Sequence, residues 1–436
     1  MCTISDDTEF RQLGTPILPP EVIDKILEQL VTPLHTCLEL DPSGLRSHAD
    51  RITSLTLKSM LAFDREYNPR RFQSAGAREL STASLVCRAW RGVAQQRLFD
   101  TLMVKSGSQG TELILEDFMD LGLNLGVKKL VFRSDQIAGS HGTDNISISQ
   151  LFILLRHLPN VITLSIMLPG PFDFSGNTEE YAWVTAKQLI TDSLGVCECL
   201  QNLKTLNIIT LSGSRCADIV HSIFESTPNL EELSFSATNA ESDLNVSFPP
   251  INLPHLARLH LGNGTTIASL QAFLTPSTIA RITELSWEYH GWQHGDRGSA
   301  LPFLRLVGPS LRKLTYSYEL AHNVAGRPDL VAELKPCLVL EDLTLLIGKG
   351  LVYGAIETLP STIKTLAVKD WSQAVGLLSK RWKDSRVPSS LRVLRILNAE
   401  GKDVKGEKTL VKKFCAQAGL KLIGQSWCLW LPRRTN

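Results

Sequence analysis

Two histidines four residues apart, in His290-Gly-Trp-Gln-His294 with Asp296 just beyond, are the residues of this chain best suited by type to grip a metal ion. On a helix that spacing places both rings on one face. Gly291 between them and Gly295 after them favour a loop, where the spacing has no geometric meaning, so no metal is expected. Cys197-Glu-Cys199 offers two thiols without a second pair at zinc spacing. Cys87 sits inside an apolar helical face and reads as a packing residue rather than a nucleophile. Gly262-Asn-Gly264 begins like a dinucleotide fingerprint but carries Ile267 where the third glycine belongs, and Gly348-Lys-Gly350 lacks the Ser or Thr that follows a phosphate-loop lysine. No nucleophile elbow, zinc-protease helix or phosphate loop occurs elsewhere. The chain is therefore expected to be non-catalytic and to use no cofactor.

Contact chemistry is better represented. Glu288, Tyr289, His290, Trp292 and His294 cluster directly after a predicted strand, on a segment read as a loop. Aromatic clusters on such loops suit contact with a target protein. A locally folded packing cluster is the plainer competing reading.

The elements that would position these residues come from a repeat. A large apolar residue, two mostly polar ones, an apolar, any residue and an apolar recur from Phe99/Leu102/Val104 onward. Further copies are Val127/Leu130/Phe132, Val161/Leu164/Ile166, Leu203/Leu206/Ile208, Leu230/Leu233/Phe235 and Leu256/Leu259/Leu261. Then follow Ile282/Leu285/Trp287, Leu311/Leu314/Tyr316, Leu340/Leu343/Leu345, Ile363/Leu366/Val368 and Leu391/Leu394/Ile396. Successive copies start 23 to 42 residues apart, most of them 26 to 29. The last two apolar positions of each copy lie two apart, so both face one side of a short strand.

Between copies the apolar spacing becomes helical, as in Ile148/Leu151/Phe152/Leu155 and Ile219/Ile223/Phe224, and similarly over Ala268 to Leu274 and Trp371 to Trp382. Pro and Gly mark the joints before strands, at Leu158-Pro-Asn160, Thr227-Pro-Asn229, Leu253-Pro-His255, Gly308-Pro-Ser310 and Leu359-Pro-Ser361.

A strand and a helix per unit at this period resembles the leucine-rich repeat superfamily, over roughly residues 97–430. The resemblance implies an α/β solenoid of about eleven units over residues 99–432, an irregular horseshoe with a parallel sheet on its concave face. The Asn or Cys usual three residues after the last apolar position is missing: Gly264, Thr238 and Ala399 stand there.

Residues flanking the two buried strand positions should face outward. They include Lys129, Val131 and Arg133, then Thr163, Ser165 and Met167, then Thr205, Asn207 and Ile209. Glu232, Ser234, Ser236, Arg258, His260, Glu284, Ser286 and Glu288 follow, and later Lys313, Thr315, Asp342, Thr344, Thr365, Lys369, Val393 and Arg395. Their signs alternate and small hydroxyls dominate, without a basic stripe for a phosphate backbone. The whole chain agrees: 45 Lys+Arg against 44 Asp+Glu leave a net charge of +1. A protein target is expected, and neither nucleic acid nor membrane, since no uncharged apolar run approaches spanning length. The acidic start Met1 to Phe10 is unlike a signal peptide, and nine scattered cysteines suit a reducing cytoplasm or nucleus.

The stretch before the repeats is organised differently. After residues 1–14, read as a flexible N-terminus, Leu18-Pro19-Pro20-Glu21-Val22 opens a helix whose Ile23, Ile26, Leu27 and Leu30 share one face. Ser84-Leu85-Val86-Cys87-Arg88-Ala89-Trp90 lies on a later helix. Together these resemble the F-box, here of the fungal type with C-terminal leucine-rich repeats, over residues 15–98. An insertion separates the two halves at about 31–79, with Ile52, Leu55 and Ser59 along one side of an expected extra helix. The resemblance implies a small all-helical domain that docks a Skp-type adaptor, and through it a cullin, by packing apolar anchors into a groove. The implied adaptor-binding residues are Leu18, Pro19, Pro20, Ile23, Ile26, Leu27, Leu85, Val86 and Trp90. The implied function is substrate recognition for an SCF-type ubiquitin ligase. The alternatives are a repeat scaffold without a ligase role and, less favoured, an enzyme with its site in an insertion.

Overall fold

The computed structural model describes residues 22, 100–105, 123–133, 151, 154–168, 198–210, 217–237, 249–262, 274–290, 301–319, 334–347, 356, 359–378, 387–399 and 406–424. Among the described residues twelve strands form one sheet, ordered β1 to β12 as in the chain. They are β1 (Thr101–Lys105), β2 (Lys129–Arg133), β3 (Thr163–Leu168), β4 (Thr205–Thr210), β5 (Glu232–Ala237) and β6 (Arg258–Leu261), then β7 (Glu284–His290), β8 (Lys313–Glu319), β9 (Asp342–Ile347), β10 (Thr365–Val368), β11 (Val393–Ile396) and β12 (Lys421–Gly424). Every neighbouring pair is parallel.

Register follows the repeat. Leu130, Leu164, Leu206, Leu233, Leu259, Leu285, Leu314, Leu343, Leu366 and Leu394 stand side by side across the sheet. Each is at most 3% exposed, so the middle apolar position is one buried column. The position two residues on forms a second column, from Phe132 to Ile396. There Trp287 and Tyr316 meet edge to face, with ring centroids 5.6 Å apart and planes at 69°. The leading position of each copy, from Val127 to Leu391, turns into the same core just before the strand. Burying one such side chain stabilises the fold by about 1.5–3 kcal/mol relative to leaving it in water.

The segments between strands close that core. Buried contributions come from Leu151, Leu154 and Leu155, from α1 (Glu198–Gln201), α2 (Ala217–Glu225), α3 (Pro276–Ile279), α4 (Leu301–Val307), α5 (Trp371–Leu377) and α6 (Glu407–Ala418). Ile223 and Phe224 of the expected stripe are buried on α2, and Val220 is buried with them, while the side chain of Ile219 lies outside the described residues. Of the expected helix Ala268 to Leu274, residues 268–273 lie outside the described residues. Leu274 pairs with Ile251 as a single parallel bridge, and a separate short helix follows at Pro276 with Thr275 as its N-cap. α5 stops at Leu377 because Leu378 is already extended. α6 and β12 match no copy of the apolar motif. Gly419, left-handed at φ 67°, ends α6 where the leading apolar residue would stand, and Gly424 occupies the last apolar position.

Backbone pairing at the strand starts is equally regular. One carbonyl per repeat accepts two N–H groups from the next: Lys128 O takes Ile162 N at 2.8 Å and Thr163 N at 3.0 Å, and Glu341 O takes Lys364 N and Thr365 N. A carbonyl has two lone pairs, so both donors are satisfied. A side-chain ladder runs beside it. The residue preceding the leading apolar position reaches back to the previous repeat: Asn160 to Leu125 O (2.8 Å), Asn229 to Gln201 O (2.7 Å) and Arg281 to Pro254 O (3.2 Å). Ser310 donates to Ile282 O, Thr362 to Leu340 O, and Ser390 to Ser361 O and Ile363 O. These residues bridge neighbouring repeats from ahead of the strand.

Candidate interaction face

The sheet face away from the core carries its charges in register. Glu232, Arg258, Glu284, Lys313 and Asp342 stand side by side from β5 to β9, so the sign alternates at each strand. Neighbouring strands lie about 4.8 Å apart, which lets long side chains of opposite sign meet. Arg258 Nη2 is 3.2 Å from Glu232 Oε2, and Lys313 Nζ is 3.4 Å from Glu284 Oε2. His260, two residues beyond Arg258, brings Nε2 to 3.3 Å from the other oxygen of Glu232. That hydrogen bond, with the Arg258 charge beside it, holds the Glu232 carboxyl below its ordinary range against the opposing effect of burial.

A second set of pairs lies at the strand starts. Lys204 Nζ is 2.9 Å from Glu231 Oε1, Lys364 Nζ is 2.9 Å from Glu341 Oε2, and Arg312 approaches the same carboxylate at 3.7 Å. The lysine hydrogen bonds lower the Glu231 and Glu341 carboxyls. These groups are exposed, so solvent screens each pair and it adds little to stability.

Between the charges lie small polar groups. Ser234, His260, Ser286, Thr315 and Thr344 occupy one row and are half-buried. The lateral pairing cancels most of the net field and leaves hydroxyls and an imidazole, which suits hydrogen bonding to a protein surface more than attraction of a polyanion. The face is not open everywhere. Val131, expected to be outward and available, is 1% exposed beside its register neighbour Ser165. Ser165 is 5% exposed, and its Oγ accepts from Asn207 Nδ2 at 3.0 Å. Alternation gives the direction of a side chain, whereas its coverage depends on its neighbours.

Of the expected target-contact residues, Glu288, Tyr289 and His290 belong to β7 rather than to a loop, because pairing with β8 continues through His290↔Glu319. Trp292 and His294 lie outside the described residues. So do the expected adaptor contacts Leu18, Pro19, Pro20, Ile23, Ile26, Leu27, Leu85, Val86 and Trp90, although Val22 beside them is helical and 39% exposed. The convergence of Arg258 and His260 on Glu232 escaped sequence reading, although the alternating signs at equivalent repeat positions signalled it.

The described cysteines are packing residues. Cys199 Sγ donates to Leu155 O at 3.2 Å. Burial pushes the thiol of Cys337 up to about 12 and that of Cys415 up to about 11, far from thiolate chemistry at neutral pH. Among the described residues no group of three or more His, Cys, Asp and Glu side chains could hold a metal ion, and no helix is long and apolar enough to cross a membrane. No protein-family model matches the chain, and no curated protein matches it significantly in sequence.

Proposed function

We propose that this chain is the substrate-recognition subunit of an SCF-type ubiquitin ligase, with an F-box-like segment docking a Skp-type adaptor and leucine-rich repeats holding a protein target. The observation that carries the reading is the motif pair Leu18-Pro19-Pro20-Glu21-Val22 and Ser84-Leu85-Val86-Cys87-Arg88-Ala89-Trp90, directly ahead of the repeats. Support comes from twelve parallel strands in chain order and from an outward face of laterally paired charges and hydroxyls. In this reading the chain supplies no catalytic group. It acts by proximity, keeping a target beside a ubiquitin-charged enzyme carried by the same assembly, in the cytoplasm or nucleus.

A second reading, a repeat scaffold without a ligase role, is favoured by one observation: the insertion at about 31–79 separates the two halves of the docking motif. Co-purification with a Skp-type adaptor decides between them. The proposal expects the wild-type chain to retain the adaptor and a Pro20→Asp, Leu27→Asp, Leu85→Asp variant to lose it. A wild-type chain that does not bind sinks the ligase reading. Binding without transfer of ubiquitin to any captured target, once adaptor, cullin and charged enzyme are supplied, leaves the scaffold.

A further inference from the structure

The turn before each strand has a consistent surface. From β3 to β11 its last two residues are Pro159-Asn160, Gln201-Asn202, Pro228-Asn229, Pro254-His255, Ala280-Arg281, Pro309-Ser310, Leu338-Val339, Ser361-Thr362 and Ser389-Ser390. Only the turn before β9 is aliphatic at both places, and there Leu338 is 69% and Val339 40% exposed. Val339 fills the position from which Asn160, Asn229, Arg281, Ser310, Thr362 and Ser390 reach back to the preceding repeat, and it has no side-chain donor for that role. The preceding unit adds a third aliphatic, Leu306 of α4, at 39%. The two units abut closely here: a Cβ on Gly308, two residues after Leu306, would lie 2.8 Å from the Pro336 carbonyl.

The charges around this spot are mostly basic. Within residues 301–312, 334–341 and 359–364 the ionisable acids and strong bases are Arg305, Arg312, Lys335, Lys364 and a single carboxylate, Glu341. Glu341 is already shared between Arg312 and Lys364. In a chain of net charge +1 this is a local basic excess set around exposed aliphatics.

We propose that Leu306, Leu338 and Val339 form a second docking surface, separate from the outward sheet face, for an acidic amphipathic segment of a partner protein. Its aliphatic anchors cover the three side chains while its carboxylates meet Arg305, Lys335 and Arg312. Neither Pro309-Ser310 nor Ser361-Thr362, at the equivalent places in the neighbouring units, adds an aliphatic side chain, so the apolar surface is small and better matched to a peptide segment than to the plane of a bilayer.

The test uses the full chain and fluorescent helix-forming peptides of about fifteen residues, long enough to present anchors over several turns. One peptide carries Leu and Phe anchors among Glu, and its counterpart carries Lys in place of every Glu. The acidic peptide should bind, and the Leu338→Ser/Val339→Ser variant should weaken it about tenfold or more. Leu125→Ser, at the exposed turn before β2, should leave binding unchanged and shows that the loss is local. Equal binding of the lysine counterpart, or undiminished affinity in the double variant, overturns the proposal. So does capture of phosphatidylserine vesicles that depends on Leu338 and Val339 while the acidic peptide fails to bind, since the surface would then meet lipid.

Discussion

His260 and Arg258 approach the two oxygens of one carboxylate, Glu232, and this makes the outward face sensitive to acid at one place. A carboxyl held lower in the folded chain than in the unfolded one contributes stability at pH above the ordinary value of 4.5, and the contribution disappears as pH falls through the lowered folded value. Glu232→Gln should therefore cost about 1 kcal/mol at neutral pH and flatten the decline of thermal midpoint below about pH 4.5. Melting curves of both proteins across that range check it, and parallel curves would refute it. The alternating signs of Glu232, Arg258, Glu284, Lys313 and Asp342 are readable from repeat alignment, because equivalent positions in parallel strands become neighbours. The covering of Val131 and Ser165 is not readable there, since alternation fixes only which way a residue points.

At the scale of elements, the joint between α4 and β9 depends on a missing side chain. A methyl on Gly308 would overlap Leu304 O and the Pro336 carbonyl, both backbone and unable to yield cheaply. Gly308→Ala should destabilise by about 1–3 kcal/mol through this overpacking, whereas Gly126→Ala, with nothing within 4 Å of the added carbon, should stay near neutral. Denaturant midpoints of the two variants make the comparison. Asn229→Ala removes a single exposed hydrogen bond between repeats and should cost about 0.5–1.5 kcal/mol, less than the roughly 2–5 kcal/mol expected for Leu233→Ala in the same unit. Strands were legible because each copy carries three apolar residues, and five of the joints because a Pro or Gly marks them. β12 was hidden because glycines fill two of its three apolar positions, and the length of α5 because Trp371 to Trp382 keeps helical spacing past the residue where the backbone leaves the helix.

For the whole molecule, every strand pairs only with its neighbours in sequence, so a wound in the middle should stay local. Leu285→Ala should raise hydrogen exchange most in β6, β7 and β8, less in β4 and β10, and least at β1 and β12. A uniform rise across all strands would mean that the array unfolds as one block. The repeat, and with it the single parallel sheet, was visible in the sequence; the contacts of any partner were not, since a row of Ser, Thr and paired charges accommodates many protein surfaces.

The same order of pairing bears on how the chain is made. A unit of 26 to 29 residues leaves the ribosome in a few seconds at about 5–20 residues per second. Local pairing is far faster than that, so each new strand can dock on a finished edge before the next one emerges. The nascent protein thus always displays one open parallel edge, renewed at every step. The last described strand, β12, is four residues long and begins with the exposed Lys421, a short and charged edge that gives a stray strand little to join.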